Sequence, residues 1–156
     1  MNAKARAQTL AAAHGKTLLL VDDEPAVREM VGRVLAQEGY RVLTAANGAE
    51  AVAMAAADAV DAALLDLNLP GQSGWDTFER LTTADPFLAV VIITARPNQL
   101  LNAINAGVSA LLEKPLDFET LLKTVRQVLA ESDRRRLERM TGQREDIYYQ
   151  PVTHPA

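Results

Sequence analysis

Five short apolar runs recur along the chain, and each gives way to a stretch with helical spacing. The runs are Lys16–Val21, Arg41–Ala45, Asp61–Leu65, Leu88–Ile93 and Ser109–Leu112. Apolar runs of this length, bounded by turn residues, read as strands buried on both faces. Strand and helix alternating five times over implies a parallel sheet with helices packed on both sides, a doubly wound α/β architecture. The central run is the most abrupt: Asp61-Ala62-Ala63-Leu64-Leu65 ends in Asp66, and Pro70, Gly71 and Gly74 mark the loop that follows.

The intervening stretches carry helix signals. Pro25 suits a first helical turn, where its missing N–H is no loss. Asp22, Asp23 and Glu24 before it suit the positive end of the helix dipole. Val27, Met30, Val31, Val34 and Leu35 follow on one face, and Gly39 stops that helix. Asn47 and Glu50 have the spacing of a capping box ahead of an Ala-rich helix running to about Ala57. Trp75 to about Thr82 reads as a helix through Phe78 and Leu81, with Trp75 as a packing residue because no aromatic or basic cluster accompanies it. A further helix with Leu100, Leu101 and Ile104 runs to Gly107, and Asp117 caps a last one whose face is Phe118, Leu121, Leu122, Val125, Val128 and Leu129.

The expected organisation is a flexible leader over 1–15, one domain over 16–130, and a charged helical extension with a disordered tail over 131–156. Pairing of the extension as a homodimer helix is one reading, although the dense charge from Glu131 to Arg139 leaves only Leu137 and Met140 as a thin seam. A chain of 156 residues that is 49% hydrophobic can bury a core of its own, and it has no apolar run of membrane-spanning length. With no cysteine there is neither a disulfide framework nor a thiolate metal site, and the cytoplasm is the expected location. A net charge of -4 argues against direct nucleic-acid binding, which calls for a basic face. His14 and His154 have no partner at ligand spacing.

Parallel topology would bring the carboxyl ends of the strands to one edge, where open α/β sheets bind ligands. Those ends supply Asp22 and Asp23, Asp66, Thr94, and Lys114 followed by Pro115. Each has an ordinary reading alone: a helix-start acid, a turn Asp, a strand Thr, a surface Lys. Together they form a chemistry. Converging carboxylates repel unless a cation lies among them, and all-oxygen ligands favour a hard ion, naturally Mg²⁺. Lys114 would balance an incoming phosphoryl group as a point charge, and the Thr94 hydroxyl could bond one of its oxygens. A carboxylate so placed is equipped to attack phosphorus and form an acyl phosphate.

On Val21-Asp22-Asp23-Glu24, Leu65-Asp66-Leu67-Asn68-Leu69-Pro70 with Gly71 and Gly74, Ile93-Thr94-Ala95 and Lys114-Pro115-Leu116, the chain resembles the receiver domains of bacterial two-component response regulators. The likeness runs from about Lys16 to Leu129. It implies a (βα)5 flavodoxin-like fold with a five-stranded sheet and Asp66 as phosphoacceptor. It further implies Mg²⁺ held directly by Asp23 and Asp66, through water by Asp22, and by the backbone carbonyl of Asn68. Thr94 and Lys114 would hold phosphoryl oxygens, and a cis peptide would precede Pro115. The implied partner is a histidine kinase or histidine phosphotransfer protein, and the implied output is a change in the face formed by the fourth helix, fifth strand and fifth helix.

One departure stands out: Leu111 occupies a place where the family commonly carries a switch aromatic. Arg96 and Asn68 stand where the family tunes dephosphorylation. The residues past the domain do not read as a DNA-binding or catalytic module, so the expectation is a receiver acting through protein contact, or a relay or phosphate sink. A receiver cut from a longer regulator would read the same way. Two other readings compete. A phosphatase with an Asp nucleophile, of the haloacid-dehalogenase kind, would need a second Asp where Asn68 stands. A degenerate receiver that binds partners without phosphorylation is opposed by the complete acidic set. The chain is therefore read as accepting, and able to lose, a phosphoryl group without being a turnover enzyme.

Overall fold

The computed structural model describes residues 15–69, 71, 73–96, 98–140 and 148–150. The leader up to His14, residues 141–147 and the last residues from Pro151, with His154, lie outside the described residues, as do the side chains of Leu137 and Met140. In chain order the elements are β1 (Thr17–Val21), α1 (Pro25–Gln37), β2 (Arg41–Ala45), α2 (Gly48–Ala57), β3 (Ala62–Asp66), α3 (Gly74–Ala84), β4 (Ala89–Thr94), α4 (Leu100–Ala106), β5 (Ala110–Glu113), α5 (Phe118–Met140) and β6 (Tyr148–Gln150). All strand pairings are parallel, in the order β2-β1-β3-β4-β5-β6. The order turns back at β1, which has β2 on one side and β3 on the other. That reversal opens a crevice beyond the carboxyl ends of β1 and β3.

Alternation along each strand divides the core in two. Leu18, Leu20, Leu64, Val91 and Leu112 face Val31 and Leu35 of α1 and Leu121 and Val125 of α5. Leu19, Val21, Leu65, Ile92 and Leu111 face Ala51 of α2, Phe78 and Leu81 of α3, and Ala103 of α4. Covering both faces is why the strands read as unbroken apolar runs.

The helix starts follow local chemistry. Pro25 occupies the first turn of α1. Asn47 Oδ1 accepts from Glu50 N at 2.9 Å, while the Glu50 carboxylate accepts from Ala46 N at 2.7 Å, one residue earlier than a reciprocal box would have it. Ser73 Oγ accepts from Asp76 N at 3.1 Å to start α3. Asp117 Oδ2 accepts from the Thr120 hydroxyl at 2.7 Å, and this bond draws the Asp117 carboxyl below its ordinary value.

The structure refines three points of the sequence reading. Met30 is 50% exposed, so the buried stripe of α1 is Val31 and Leu35. On α4 it is Ala103 that faces the core, while Leu101 and Ile104 are 68% and 50% exposed. The tail is not wholly without structure: Tyr148–Gln150 pairs with β5, Ala110 opposite Tyr148 and Leu112 opposite Gln150. Tyrosines favour strands, and the outer edge of β5 offers unpaired backbone groups to pair with. The charged stretch from Glu131 continues α5 to Met140 in one helix. No helix among the described residues is long and apolar enough to cross a membrane.

Tyr40, buried behind α1, gives the fold an alkaline limit. Burial raises its phenol above the ordinary value, with Arg126 opposing and Glu38 assisting. A raised folded value means that the neutral phenol is the favoured native form. Its contribution is complete below the unfolded value and is lost as pH climbs through the folded one. In urea titrations between about pH 9 and about pH 11, one unit either side of a free phenol, Tyr40→Phe is expected to lose less stability than wild type. Parallel curves would contradict this.

Candidate functional site

Strand β1 ends at Val21, and Asp22 follows it, fixed by two backbone-level contacts. Its Oδ1 accepts from Glu24 N at 2.9 Å, and its carbonyl accepts from Arg28 Nη1 at 2.6 Å. Asp23, next along, is exposed at the mouth of the crevice, while Asp22 is buried. Across the switch point, Asp66 is the last residue of β3 and is buried. Its Oδ1 accepts from Asn68 N at 2.8 Å, a local turn that orients the carboxylate. Oxygens of Asp22, Asp23 and Asp66 all lie within 4.8 Å of one another.

Lys114 enters from the end of β5, at a Lys114-Pro115 peptide bond that is cis. Its Nζ donates to Asp66 Oδ2 at 2.6 Å and stands 3.7 Å from Asp22 Oδ2. Burial works against the ammonium, but the hydrogen bond and charge of Asp66, with the charges of Asp22 and Glu24, outweigh it and leave Lys114 above its ordinary value. Asp22 is pushed up first by burial and then by the Asp66 carboxylate, against the Glu24 N–H and Lys114, which pull it down. One ammonium thus faces a cluster of three carboxylates, and the local charge is negative. Such a set of hard oxygen donors suits a divalent cation of the magnesium type.

Thr94 closes β4 and is buried; its Oγ1 accepts from Arg96 N at 2.9 Å, and its carbonyl accepts from Lys114 N at 2.8 Å. The hydroxyl proton stays available to a further acceptor. The Arg96 guanidinium reaches the Asn68 side-chain oxygen in a long contact of 3.5 Å. The residues singled out at the strand ends therefore meet at one crevice, drawn from β1, β3, β4 and β5.

Two features of this edge have no signature in the sequence as read above. A Cβ on Gly74 would lie 2.4 Å from Leu67 Cα and 2.8 Å from its carbonyl oxygen, so only glycine lets α3 start against the loop that carries Asp66. Trp75 Nε1 donates to Gln99 Oε1 at 3.3 Å, joining the first turn of α3 to the residue that precedes α4.

Residues 18–126 match the family model of the response regulator receiver domain. The chain belongs to that family. Among curated proteins this receiver is 35% identical over 115 residues to the probable transcriptional regulatory protein TcrX of Mycobacterium tuberculosis, covering 72% of this chain and 49% of TcrX. It spans about half the length of that relative. Among solved structures, the CheY-like receiver domain protein of Methanospirillum hungatei superposes with a TM-score of 0.73 at 28% identity, over 77% of this chain and 98% of that one. The response regulator TrrA of Thermotoga maritima, solved in complex with Mg²⁺-BeF, gives 0.67 at 29% identity, over 72% and 98%. The receiver's Leu111 lies buried in the core beneath α4, packed with Phe78 and Ala103 rather than standing at the surface.

Proposed function

We propose that this receiver is a phosphoacceptor switch in a two-component relay. The observation that carries the reading is the buried Asp66 carboxylate, hydrogen-bonded to Lys114 and within reach of Asp22 and Asp23. Asp66 attacks the phosphorus of a phosphohistidine on a histidine kinase or phosphotransfer protein. A P–O bond to Asp66 forms, the P–N bond breaks, and the imidazole leaves with the electron pair. Lys114 and Thr94 receive the phosphoryl oxygens, the ammonium as a charge and the hydroxyl as a donor. Asp22, Asp23, Asp66 and the Asn68 backbone carbonyl are the residues that would hold Mg²⁺. That ion, when bound, supplies positive charge beside the transferred group.

Asn68 offers no carboxylate to act as acid or base on the bound group, so the site retains a phosphoryl group rather than turning substrate over. Signalling proceeds by protein contact, through the face made by α4, β5 and α5. The net charge of -4 disfavours direct contact with nucleic acid. A chain that uses no cysteine suits the cytoplasm, where such kinases deliver their phosphoryl groups.

The charge balance predicts a trade between stability and metal binding. The folded-state value of Asp22 is raised, so folding disfavours its ionised form; that penalty is absent below the ordinary carboxylate value and grows as pH rises through the raised one. Asp22→Asn keeps an acceptor for Glu24 N–H and removes one negative charge. At pH 7 without divalent metal the variant should melt about 3 °C above wild type, while added Mg²⁺ should raise the wild-type Tm more than the variant's. A variant that melts lower, or one that responds to Mg²⁺ as wild type does, would contradict the assignment.

The function itself is tested by intact mass after incubation with Mg²⁺ and acetyl phosphate. A gain of one phosphoryl group that requires Mg²⁺ is expected. Continuous phosphate release with no adduct under rapid quench would instead indicate a phosphatase.

A further inference from the structure

Asn68, two residues past Asp66, and Trp75, in the first turn of α3, are each tied to a residue that follows β4. The inner tie is the long Arg96–Asn68 contact. The outer tie is the bond from Trp75 Nε1 to Gln99 Oε1. The tryptophan end is anchored: Gly74 N donates to Leu67 O at 3.0 Å with no room for a Cβ between them. The indole itself stands edge-on to Phe78, ring centroids 5.8 Å apart at 82°, against the cluster that includes Leu111 and Ala103. The glutamine end lies past β4. Gln99 stands at the N-cap position of α4 without a capping side-chain bond, and it follows Asn98, whose φ of 64° is left-handed, four residues past Thr94. Its Oε1 also accepts from Asn102 Nδ2 at 3.3 Å, so two donors fix which amide atom faces the indole.

We propose that Trp75 and Gln99 form a latch across the mouth of the site, and that Trp75 is a positioning residue setting how readily Asp66 accepts a phosphoryl group. The inference rests on the reading of Asp66 as phosphoacceptor. A tetrahedral group on Asp66 is larger than the carboxylate oxygen it replaces, and the Thr94 hydroxyl, whose proton is free to donate, must close on it. Both changes pull on Gln99, five residues along the chain, and tend to displace it from the indole. The anchored indole resists that displacement, so the latch favours the closed mouth. Cutting it should make the site easier to fill.

The test uses beryllium fluoride, as a phosphoryl mimic, with saturating Mg²⁺, its affinity read by ¹⁹F NMR on wild type, Trp75→Phe, Gln99→Ala and the double variant. Phe keeps a ring against Phe78 and removes the donor together with part of the ring volume, while Gln99 is half-buried and its loss removes the acceptor without touching that packing. Each single variant should bind the mimic about fivefold more tightly, the value of one hydrogen bond of ordinary strength, and the double variant should match the singles. A purely structural defect would weaken binding instead. The chain has one tryptophan, so wild-type emission should also change on binding, and Gln99→Ala should start near the bound spectrum. Unchanged or weakened affinity in Gln99→Ala, or additive effects in the double variant, would overturn the latch while leaving the phosphoacceptor reading intact. The lack of any Mg²⁺-dependent bound resonance in wild type would overturn that reading and the latch with it.

Discussion

Asp66→Asn is expected to lower Mg²⁺-dependent phosphoryl incorporation by at least ~100-fold while leaving the fold in place. The amide retains an oxygen for Asn68 N, and Lys114 keeps a carboxylate 3.7 Å away in Asp22. What disappears is the anionic oxygen that attacks phosphorus. Because the substitution also removes one charge from a crowded acidic set, its stability should stay within about 1 kcal/mol of wild type. Intact mass and a thermal melt on the same sample check both halves. Incorporation that survives would place the acceptor elsewhere in the chain.

Gly74→Ala should have a large structural effect for a single added methyl. The new Cβ would meet the backbone of Leu67, not the movable end of a side chain, at 2.4 Å. Either α3 or the loop after β3 must shift, breaking the bond from Gly74 N to Leu67 O. A loss of about 3 kcal/mol, roughly 10 °C in Tm, is expected, measured by urea and thermal unfolding. Since Asp66 and Asn68 begin that loop, phosphoryl incorporation should fall as well. A variant as stable as wild type would mean that the close approach is not a fixed feature of the fold.

The parts of this molecule that could be read from sequence are those where one residue type has one physical job. Asp66, Thr94 and Lys114 stand out because each ends an apolar strand, and parallel topology leaves such ends nowhere to go but the same edge. The failures have physical causes too. Helix α4 has 7 residues, too few turns for spacing to fix its phase, so the apolar Leu100, Leu101 and Ile104 mark a helix without showing that Ala103 is the residue it buries. Strand β6 is held by backbone pairing along β5, an interaction that hydrophobic pattern does not encode. Gly74 could be recognised as a turn residue, but its steric role depends on where Leu67 lies in space. The bond from Trp75 to Gln99 joins the starts of two helices across 24 residues, and neither residue carries a periodic signal.

The central claim is that Asp66 becomes an acyl phosphate. The most direct measurement is to phosphorylate the chain with acetyl phosphate and Mg²⁺, reduce it with borohydride, and map the product by peptide mass spectrometry. An acyl phosphate at Asp66 predicts homoserine at that position and at no other carboxylate, with hydroxylamine beforehand abolishing the signal. Reduction at Asp22 or Asp23 instead, or a phosphoryl group that survives hydroxylamine, would contradict the account.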